Sequence, residues 1–389
     1  MTQSPMFPHQ STAVERLAVG IPTYLGFDMG IGKSRTFIEA AKEAGEARVL
    51  IICPKSAVLV WQREIRLWDP GASSVHALQP ASLKPGPKYT IITHGAMSQK
   101  NGWVAETLQL CPAFGMTCID EAHGFNDSQS NRSKVLRQSL RKLGFVVPMS
   151  GTPMRNHAGD LYHLISVCAP DVLKTRSGAV MTRHDFEDQF CVVGSRWIGG
   201  RQIRVIEGSK NLSRLKSMIA PWMVRVRKED VLKDLPPVAW QIIPVETDKT
   251  FLSDVDLEGL EQYVTGSEWL KPTADKHVMQ LRRQLGLAKL RGAGEFIVDM
   301  LDNLPGNRKV LVFAVHKDVI AHLRHHLAEY NPVAITGEVT GKDRDAAVTK
   351  FLTKPSCRVF IGNIQAAGTA LTLVGPTCKC SDVVFVESS

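Results

Sequence analysis

Residues 28–34 read Asp28-Met29-Gly30-Ile31-Gly32-Lys33-Ser34, and this stretch decides how the rest of the chain is interpreted. Two glycines let backbone N–H groups close around an anion, and a Lys-Ser pair follows at once, which is the pattern of a phosphate-binding loop. In that interpretation Lys33 reaches the terminal phosphates of a nucleotide and Ser34 gives its hydroxyl to Mg²⁺. The strict pattern has a glycine where Phe27 stands, so an ordinary strand-to-helix turn is the alternative.

The segments on either side of the loop have the pattern of a nucleotide-binding core. Residues 23–27 read as a short strand, and a helix beginning near Arg35 turns its positive end towards the same anion. Residues 48–53 form a continuous apolar run ended by proline, typical of a strand buried on both faces of a parallel sheet. Strand, loop, helix and strand in this order predict an α/β fold. Upstream, Gln10 can hydrogen-bond an adenine edge, with a solvated side chain as the alternative.

Two further motifs follow predicted strands. The apolar run 116–119 ends in Asp120-Glu121-Ala122-His123, which places carboxylates at the ligand-binding edge of a parallel sheet. Asp120 would hold Mg²⁺, directly or through water, and Glu121 would polarise the attacking water. The alternative is an acidic helix N-terminus. Residues 150–153, Ser-Gly-Thr-Pro, form a turn whose hydroxyls can sense the γ-phosphate site, or simply a Gly-Pro turn.

Length and composition restrict the class of protein. The 389 residues exceed one typical core, so we expect two or three domains. The sequence has neither a signal peptide nor an apolar run of about 18 residues, and its eight cysteines lack zinc-ligand spacing. We therefore expect a reducing setting off the membrane, cytoplasmic with nuclear as the alternative. The net charge of +9 suits nucleic acid, although a basic surface that binds nothing is the alternative.

The region from about 168 to 303 lacks the strand–helix alternation and is predicted to be mainly helical, with a Gly-rich break at 194–208. Residues 196–234 carry ten basic and four acidic side chains, which indicates either a nucleic-acid surface or a solvated helix face. We expect Trp197 and Trp222 to be core anchors, because a protein that grips duplex DNA contacts phosphates rather than splayed bases. The three histidines between 322 and 326 are expected on a solvated helix surface.

The motifs occur in the order found in superfamily-two helicases and most resemble the SWI/SNF-type DNA translocases. The family's loop has its small residue one position earlier, where Gly26 stands. More specific is Arg225-Val226-Arg227-Lys228-Glu229-Asp230-Val231-Leu232-Lys233-Asp234-Leu235-Pro236, which is similar to the family's Arg-rich signature. Residues 282–289 and 309–317 are similar to the annealing-helicase branch, and residues 335–351 and 365–373 continue the match.

The resemblance implies two RecA-like parallel-sheet lobes, 1–167 and 304–389, with a helical insertion and linker at 168–303. It implies an ATP-driven translocase on double-stranded or branched DNA, with ATP and Mg²⁺ as cofactors. We expect a monomer, prokaryotic or viral, that works in the cytoplasm with replication or repair proteins as possible partners. A strand-separating helicase of the same superfamily is the alternative.

The resemblance also assigns roles to individual residues. The catalytic residues are Lys33, Asp120 and Glu121, and Mg²⁺ would be held by Ser34 and Asp120. ATP would be bound by Gln10, Gly30, Gly32, Lys33, Ser34 and Arg35. The residues that couple the site to DNA are Lys55, His94, Ser150, Thr152, Arg344, Gly368 and Thr369.

The sequence departs from the family pattern near its end. In the family, the strand equivalent to 383–387 is followed by a segment with an arginine finger, which contributes on the order of 10³-fold or more to the rate in related enzymes. This sequence stops at Ser389, so it predicts an incomplete second lobe and impaired turnover, or a hydrolysis-deficient fragment that binds ATP and DNA. Residues 375–380 resemble a short insertion without an assigned role.

Overall fold

The computed structural model describes residues 5–100, 102–175, 178–198, 201–234, 238–252, 276–339, 341–367, 373 and 379–387. The chain divides into two compact units, unit 1 (residues 1–237) and unit 2 (residues 238–389). The division falls inside the predicted insertion at 168–303, and the three-part division remains a prediction.

Unit 1 contains nine described strands and ten described helices. The strands are β1 Tyr24–Phe27, β2 Val49–Cys53, β3 Ser74–His76, β4 Tyr89–Thr93, β5 Met116–Asp120, β6 Phe145–Met149, β7 Cys191–Ile198, β8 Arg201–Ser209 and β9 Met223–Val226. The helices are α1 Pro8–Ala18, α2 Lys33–Glu43, α3 Val58–Trp68, α4 His94–Ser98, α5 Trp103–Leu110, α6 Asn131–Leu143, α7 Tyr162–Cys168, α8 Arg183–Phe190, α9 Leu212–Ile219 and α10 Lys228–Val231.

Seven of these strands form one parallel sheet in the order β3-β4-β2-β5-β6-β1-β9. Strands β1 and β2 are buried along their whole length, as expected for apolar strands covered on both faces. Because all the strands are parallel, their carboxyl ends lie at one edge of the sheet. The loop after β1, the acidic pair after β5 and the turn after β6 therefore share that edge.

The predicted helical segment contains a β-ribbon that sequence analysis missed. Strands β7 and β8 form an antiparallel pair from Cys191↔Ser209 to Ile198↔Arg201. Valine and isoleucine recur along both strands, and a Gly-Gly dipeptide stands between them in the sequence, which is a hairpin pattern. The prediction of a Gly-rich break in a helical region was wrong because this alternation outweighs the glycines.

The two tryptophans of this region have different environments. Trp222 is buried and packs edge-on against Tyr24, with ring centroids 5.2 Å apart, so its prediction as a core anchor is confirmed. Trp197 lies on β7 with 74% of its surface exposed, so the same prediction for Trp197 was wrong. The ribbon is a separate two-stranded sheet, which gives Trp197 no layer to pack against.

Unit 2 is a second α/β unit. Its described strands are β10 Arg308–Ala314, β11 Val333–Ile335, β12 Val359–Asn363 and β13 Lys379–Phe385. Its described helices are α11 Lys276–Ala288, α12 Leu290–Asn303, α13 Lys317–His326, α14 Gly341–Thr353 and α15 Ile364–Ala367. The strands form a parallel sheet in the order β11-β12-β10-β13. The predicted fold class, α/β with two parallel-sheet lobes, is confirmed.

The described residues show neither a membrane-spanning helix nor a cluster of metal-ligating side chains. None of their helices combines the length and the apolar character needed to cross a membrane. They also contain no group of three or more metal-ligating side chains. The histidines at 322, 325 and 326 lie exposed on α13, which confirms the predicted solvated helix surface.

Candidate functional site

The loop between β1 and α2 has the backbone of an anion-binding turn. Gly30 and Gly32 have φ angles of 82° and 89°, in the left-handed region that favours glycine. Gly32 is also the N-cap of α2, so the following N–H groups point out of the helix start. A Cβ on Gly32 would collide with the side-chain amide of Gln10. The glycines therefore serve both the turn and its contact with α1.

Lys33 lies over the loop that precedes it. Its ammonium donates hydrogen bonds to the carbonyl oxygens of Phe27 and Asp28, at 2.9 and 3.1 Å. Burial lowers the pKa of Lys33, and the carboxylates of Glu121, Asp120 and Asp28 oppose that effect. The structure thus brings the predicted phosphate-binding lysine and both predicted catalytic carboxylates into one electrostatic group.

Asp120 ends β5 and is held by two donors. The indole N–H of Trp61 donates to Oδ2 at 2.9 Å, and the backbone N–H of Glu121 donates to Oδ1 at 3.0 Å. Burial raises the pKa of Asp120 to about 6, although Trp61 and Lys33 act in the opposite direction. Sequence analysis did not predict this contact between Trp61 and Asp120, which are 59 residues apart.

Glu121 has a left-handed backbone with φ 49°, which is uncommon for a residue other than glycine. Strain of this kind persists where surrounding contacts hold it. The hydroxyl of Ser150 donates to Oε2 of Glu121 at 3.2 Å and accepts from the backbone N–H of Thr152 at 3.0 Å. Nδ1 of His123 lies 2.8 Å from the same hydroxyl. The acidic motif and the Ser-Gly-Thr turn therefore form one hydrogen-bonded cluster.

The Arg-rich signature reaches the loop through β9, which pairs with β1 so that Arg225 lies beside Gly26. The guanidinium of Arg225 donates to Oδ1 of Asp28 at 2.7 Å and to the carbonyl oxygen of Gly26. The backbone N–H of Lys228 donates to Oδ2 of Asp28 at 2.9 Å. Burial alone would raise the pKa of Asp28, but these donors hold it below its ordinary value.

Two predicted nucleotide-binding residues have different positions. Gln10 is buried against the loop: its Oε1 accepts from the backbone N–H of Phe7 at 3.0 Å, and its Nε2 lies 3.4 Å from the carbonyl oxygen of Ile31. Arg35 stacks its guanidinium 3.9 Å from the ring centroid of Trp68 and donates to the carbonyl oxygen of Pro5. These contacts give Arg35 a packing role. Ser34 is half-buried in the first turn of α2.

His94, one of the residues predicted to couple the site to DNA, contacts the acidic motif. His94 is buried, and its Nε2 lies 2.9 Å from the backbone carbonyl oxygen of Asp120. Burial, with Arg132, lowers the pKa of His94 to about 4, so the imidazole is neutral near pH 7. A neutral, enclosed imidazole supports the turn at Asp120 but does not attract a phosphate. Lys55, in the short 3₁₀ turn after β2, is exposed.

The coupling residues predicted beyond unit 1 are only partly described. Arg344 is half-buried on α14 in unit 2, and burial lowers its pKa against the effect of Asp345. Gly368 and Thr369 lie outside the described residues. The predicted insertion at 375–380 also lies almost entirely outside them.

A phosphate-type loop, a half-buried acidic pair and a hydroxyl turn on one edge of a parallel sheet define an α/β nucleotide-binding protein. The chain belongs to the SNF2-related domain family, whose model matches residues 19–252. The resemblance stated from the sequence is thereby confirmed. The family model ends inside unit 2 and contains every catalytic residue predicted in unit 1.

The chain is similar to several longer proteins. It is 26% identical to the mouse DNA annealing helicase and endonuclease ZRANB3 over 386 residues, which cover 92% of this chain and 33% of that protein. It is also 26% identical over 377 residues to the Xenopus tropicalis SWI/SNF-related matrix-associated actin-dependent regulator of chromatin subfamily A-like protein 1, covering 93% of this chain and 37% of that protein. The chain thus spans about a third of the length of these relatives.

Among solved structures, the chain is similar to the Sulfolobus solfataricus SWI2/SNF2 ATPase core in complex with dsDNA. The identity is 16%, the TM-score is 0.48, and the match covers 98% of this chain and 88% of that chain. The ATPase core domain of the same organism, described without DNA, matches with a TM-score of 0.46.

Replacing Gly32 with alanine should weaken nucleotide binding by about tenfold or more, because a Cβ there meets the amide of Gln10 in addition to the left-handed backbone cost of roughly 1–2 kcal/mol. Gly20→Ala is the matched control, since Gly20 has φ 76° and open space around its Cβ position. Titration with a fluorescent ATP analogue and thermal melting of both variants measure the difference. Equal effects of the two substitutions would show that the contact with Gln10 is unimportant.

His163 on α7 should make unit 1 sensitive to acid. Burial, with Arg137 and Arg183, lowers its pKa to about 4, whereas the unfolded chain binds that proton near pH 6.5. As the pH falls from 6.5 to 4, the unfolded state is protonated first, so stability is lost, up to roughly 3 kcal/mol for this group.

The test of His163 is the melting temperature between pH 7 and pH 4.5. We expect His163→Gln to lose less stability on acidification than the parent. Part of the dependence of the melting temperature on pH should remain, because His94 has a similarly lowered pKa. His322→Gln, which changes an exposed histidine, should follow the parent. If the melting temperature of His163→Gln fell with pH as steeply as that of the parent, the assignment of acid sensitivity to His163 would be wrong.

Proposed function

We propose that this chain is an ATP-dependent motor that translocates along double-stranded DNA. The observation that carries the proposal is the cluster at one sheet edge, where Lys33, Asp120 and Glu121 interact and Ser150 bonds to Glu121. Such a cluster combines a cation for phosphate, a carboxylate for a metal and a carboxylate for water. Membership of the SNF2-related domain family supports ATP as the nucleotide.

The residues present fit ATP with Mg²⁺. The two left-handed glycines form the turn that leads into α2, and the N-terminus of this helix can bind an anion. Burial raises the pKa of Asp120 to about 6, so a cation bound beside it would stabilise its charged form. Lys33 and Ser34 would hold phosphate and metal, and Gln10, at the loop, would contact the base. Mg²⁺ supplies charge neutralisation at the phosphates when bound.

Glu121 is the residue that we assign to the attacking water. Its strained backbone directs the carboxylate towards Ser150 and His123, and both contacts fix its orientation. A carboxylate held in this way can orient a water molecule and accept its proton. Burial and Arg155 lower the pKa of His123, so His123 is a neutral partner that does not neutralise Glu121.

We assign to the turn at Ser150 the coupling between the nucleotide site and DNA. Its hydroxyl contacts Glu121 and its neighbour Thr152, so a change at Glu121 alters the hydrogen bonds of the turn. A two-state rearrangement of such a turn can convert the nucleotide state into a change of DNA grip. The roles of Ser150 and Thr152 in coupling are part of this proposal.

Duplex DNA is the partner that the chemistry and the similar proteins favour. The chain has a net charge of +9, which suits a polyanion. Two relatives are called a DNA annealing helicase and a chromatin regulator, and one similar structure was solved with dsDNA. These names support DNA as the track along which the motor moves.

Two measurements test the proposal. ATP turnover should rise when duplex DNA is added, and the chain should displace a triplex-forming strand from duplex DNA in an ATP-dependent manner. Unwinding of a partial duplex by the same chain would instead favour a strand-separating helicase. Turnover that is brisk but indifferent to DNA would refute the motor.

A further inference from the structure

The ribbon formed by β7 and β8 is fixed at its base. Cys191 and Phe190 are buried in the core of unit 1, and the backbone N–H of Lys210 donates to the carbonyl oxygen of Phe190 at 2.8 Å. The hydroxyl of Ser209 accepts from the backbone N–H of Ala158 at 2.8 Å. Strands of eight and nine residues extend roughly 27–30 Å at about 3.3 Å per residue. The far half of the ribbon is therefore held away from its anchored base.

The far half exposes a large aromatic side chain. Trp197 is 74% exposed and lies opposite Gln202 in the ribbon. Ser195 lies opposite Arg204 on the same face. Gln202 donates to the hydroxyl of Ser195 at 2.8 Å, which stiffens that face beside the indole. A tryptophan side chain can bury about 150–250 Å² of surface in a contact, which is among the largest areas that one side chain contributes. The ribbon presents that area to solvent.

The opposite face of the far half is cationic. Arg196 and Arg201 are exposed on it, and neither has a hydrogen-bond or ion-pair partner among the described residues. Arg204 instead pairs with Asp188 at 2.8 Å, nearer to α8. The acidic residue of the ribbon, Glu207, lies against Gly194 towards the base. The far half thus combines an exposed indole on one face with uncompensated positive charge on the other.

We propose that the β7–β8 ribbon contacts DNA branches, with Trp197 stacked on a base exposed where the duplex parts and with Arg196 and Arg201 on the phosphates of the diverging strand. The inference rests on DNA being the partner under the proposed function. In a continuous duplex the base faces are covered by their neighbours, so an indole has nothing to stack on. At a branch the terminal pair exposes a base face, and phosphates diverge to either side. A ribbon with one aromatic and one cationic face matches that geometry.

The test compares two DNAs on the full chain. Binding is measured for a labelled fork with two single-stranded arms and, by competition, for a covalently closed circular duplex, which has no exposed base face. Because base stacking contributes about 1–3 kcal/mol per base, Trp197→Ala should weaken fork binding roughly 5- to 100-fold. Its affinity for the closed circle should stay within about twofold, and Trp197→Phe should retain most of the fork affinity.

Two further measurements sharpen the test. A 2-aminopurine placed at the branch should be quenched by the parent chain and by Trp197→Phe but not by Trp197→Ala. The double substitution Arg196→Ala with Arg201→Ala should reduce the salt dependence of fork binding by the amount expected for the loss of about two phosphate contacts. Trp240→Ala, which removes an 80% exposed tryptophan in unit 2, is the matched control and should behave as the parent.

The outcomes separate this inference from the proposed function. Parent-like binding of the fork by Trp197→Ala, or equal losses on fork and circle with an unchanged melting temperature, would overturn the ribbon's role at branches. Quenching of 2-aminopurine by Trp197→Ala would also overturn the ribbon's role at branches. So would the finding that Trp197 is required for binding a protein but not for binding the fork. Failure of the parent to bind either DNA would overturn the proposed function itself.

Discussion

Replacing Lys33 with alanine should reduce ATP turnover by about 10²–10³-fold, because removing one preorganised group that stabilises developing charge has an effect of this order. Glu121→Gln should reduce turnover by about 10²–10⁴-fold while leaving ATP binding near the parent value. The glutamine keeps the hydrogen bond from Ser150 but lacks the negative charge that accepts a proton. Phosphate release and titration with a fluorescent ATP analogue measure the two steps separately.

Exposed residues of unit 1 supply the controls for these two substitutions. Lys100→Ala and Glu43→Gln remove the same kinds of side chain from exposed positions, so their turnover should match the parent. Parent-like turnover in Lys33→Ala would show that the loop is not a phosphate site. Loss of ATP binding together with turnover in Glu121→Gln would show that Glu121 acts on the loop rather than on water.

Arg225→Ala should raise the KM for ATP and lower kcat, with kcat/KM falling about 10- to 100-fold. The Arg225–Asp28 pair is only partly exposed, and the same guanidinium holds the carbonyl of Gly26, so its loss frees the phosphate loop to move. A displacement of about 1 Å in a positioning group can reduce a rate by about 10²-fold. Arg225→Lys keeps the charge but cannot make both contacts, so it should recover only part of the activity.

A double-mutant cycle identifies the pair as the cause. Asp28→Asn should resemble Arg225→Ala, and the two changes together should cost little more than either alone, because both remove one interaction. Thermal melting of each variant separates positioning from folding: we expect a small change in melting temperature beside a large change in kcat/KM. Additive losses in the double variant would contradict a direct coupling between Arg225 and the loop.

Several strands could be predicted because buried parallel strands read as continuous apolar runs. The segments predicted at 23–27, 48–53 and 116–119 all became strands of the large sheet. The loop at Gly30 and Gly32 was equally readable, since left-handed turns require glycine. Local patterns were sufficient wherever the decisive contacts lie close along the chain.

Contacts between distant segments could not be predicted. Trp61 and Asp120 are 59 residues apart, and no local pattern states that the indole N–H meets the carboxylate. Arg225 was recognised as part of a signature, but its position beside Asp28 depends on β9 joining the sheet next to β1. The contact of His94 could not be predicted either, because a strand-end histidine reads the same whether it faces a ligand or, as here, a carbonyl beneath the turn.

The pairing of β9 with β1 joins two strands that are synthesised at different times. The phosphate loop leaves the ribosome before its partner strand, because Arg225 follows 199 residues after Gly26. At about 5–20 residues per second, the nascent loop waits roughly 10–40 s for the strand that secures it. During that interval one edge of β1 is open to whatever other strand is nearby. The nucleotide loop is thus translated well before the strand that completes its contacts.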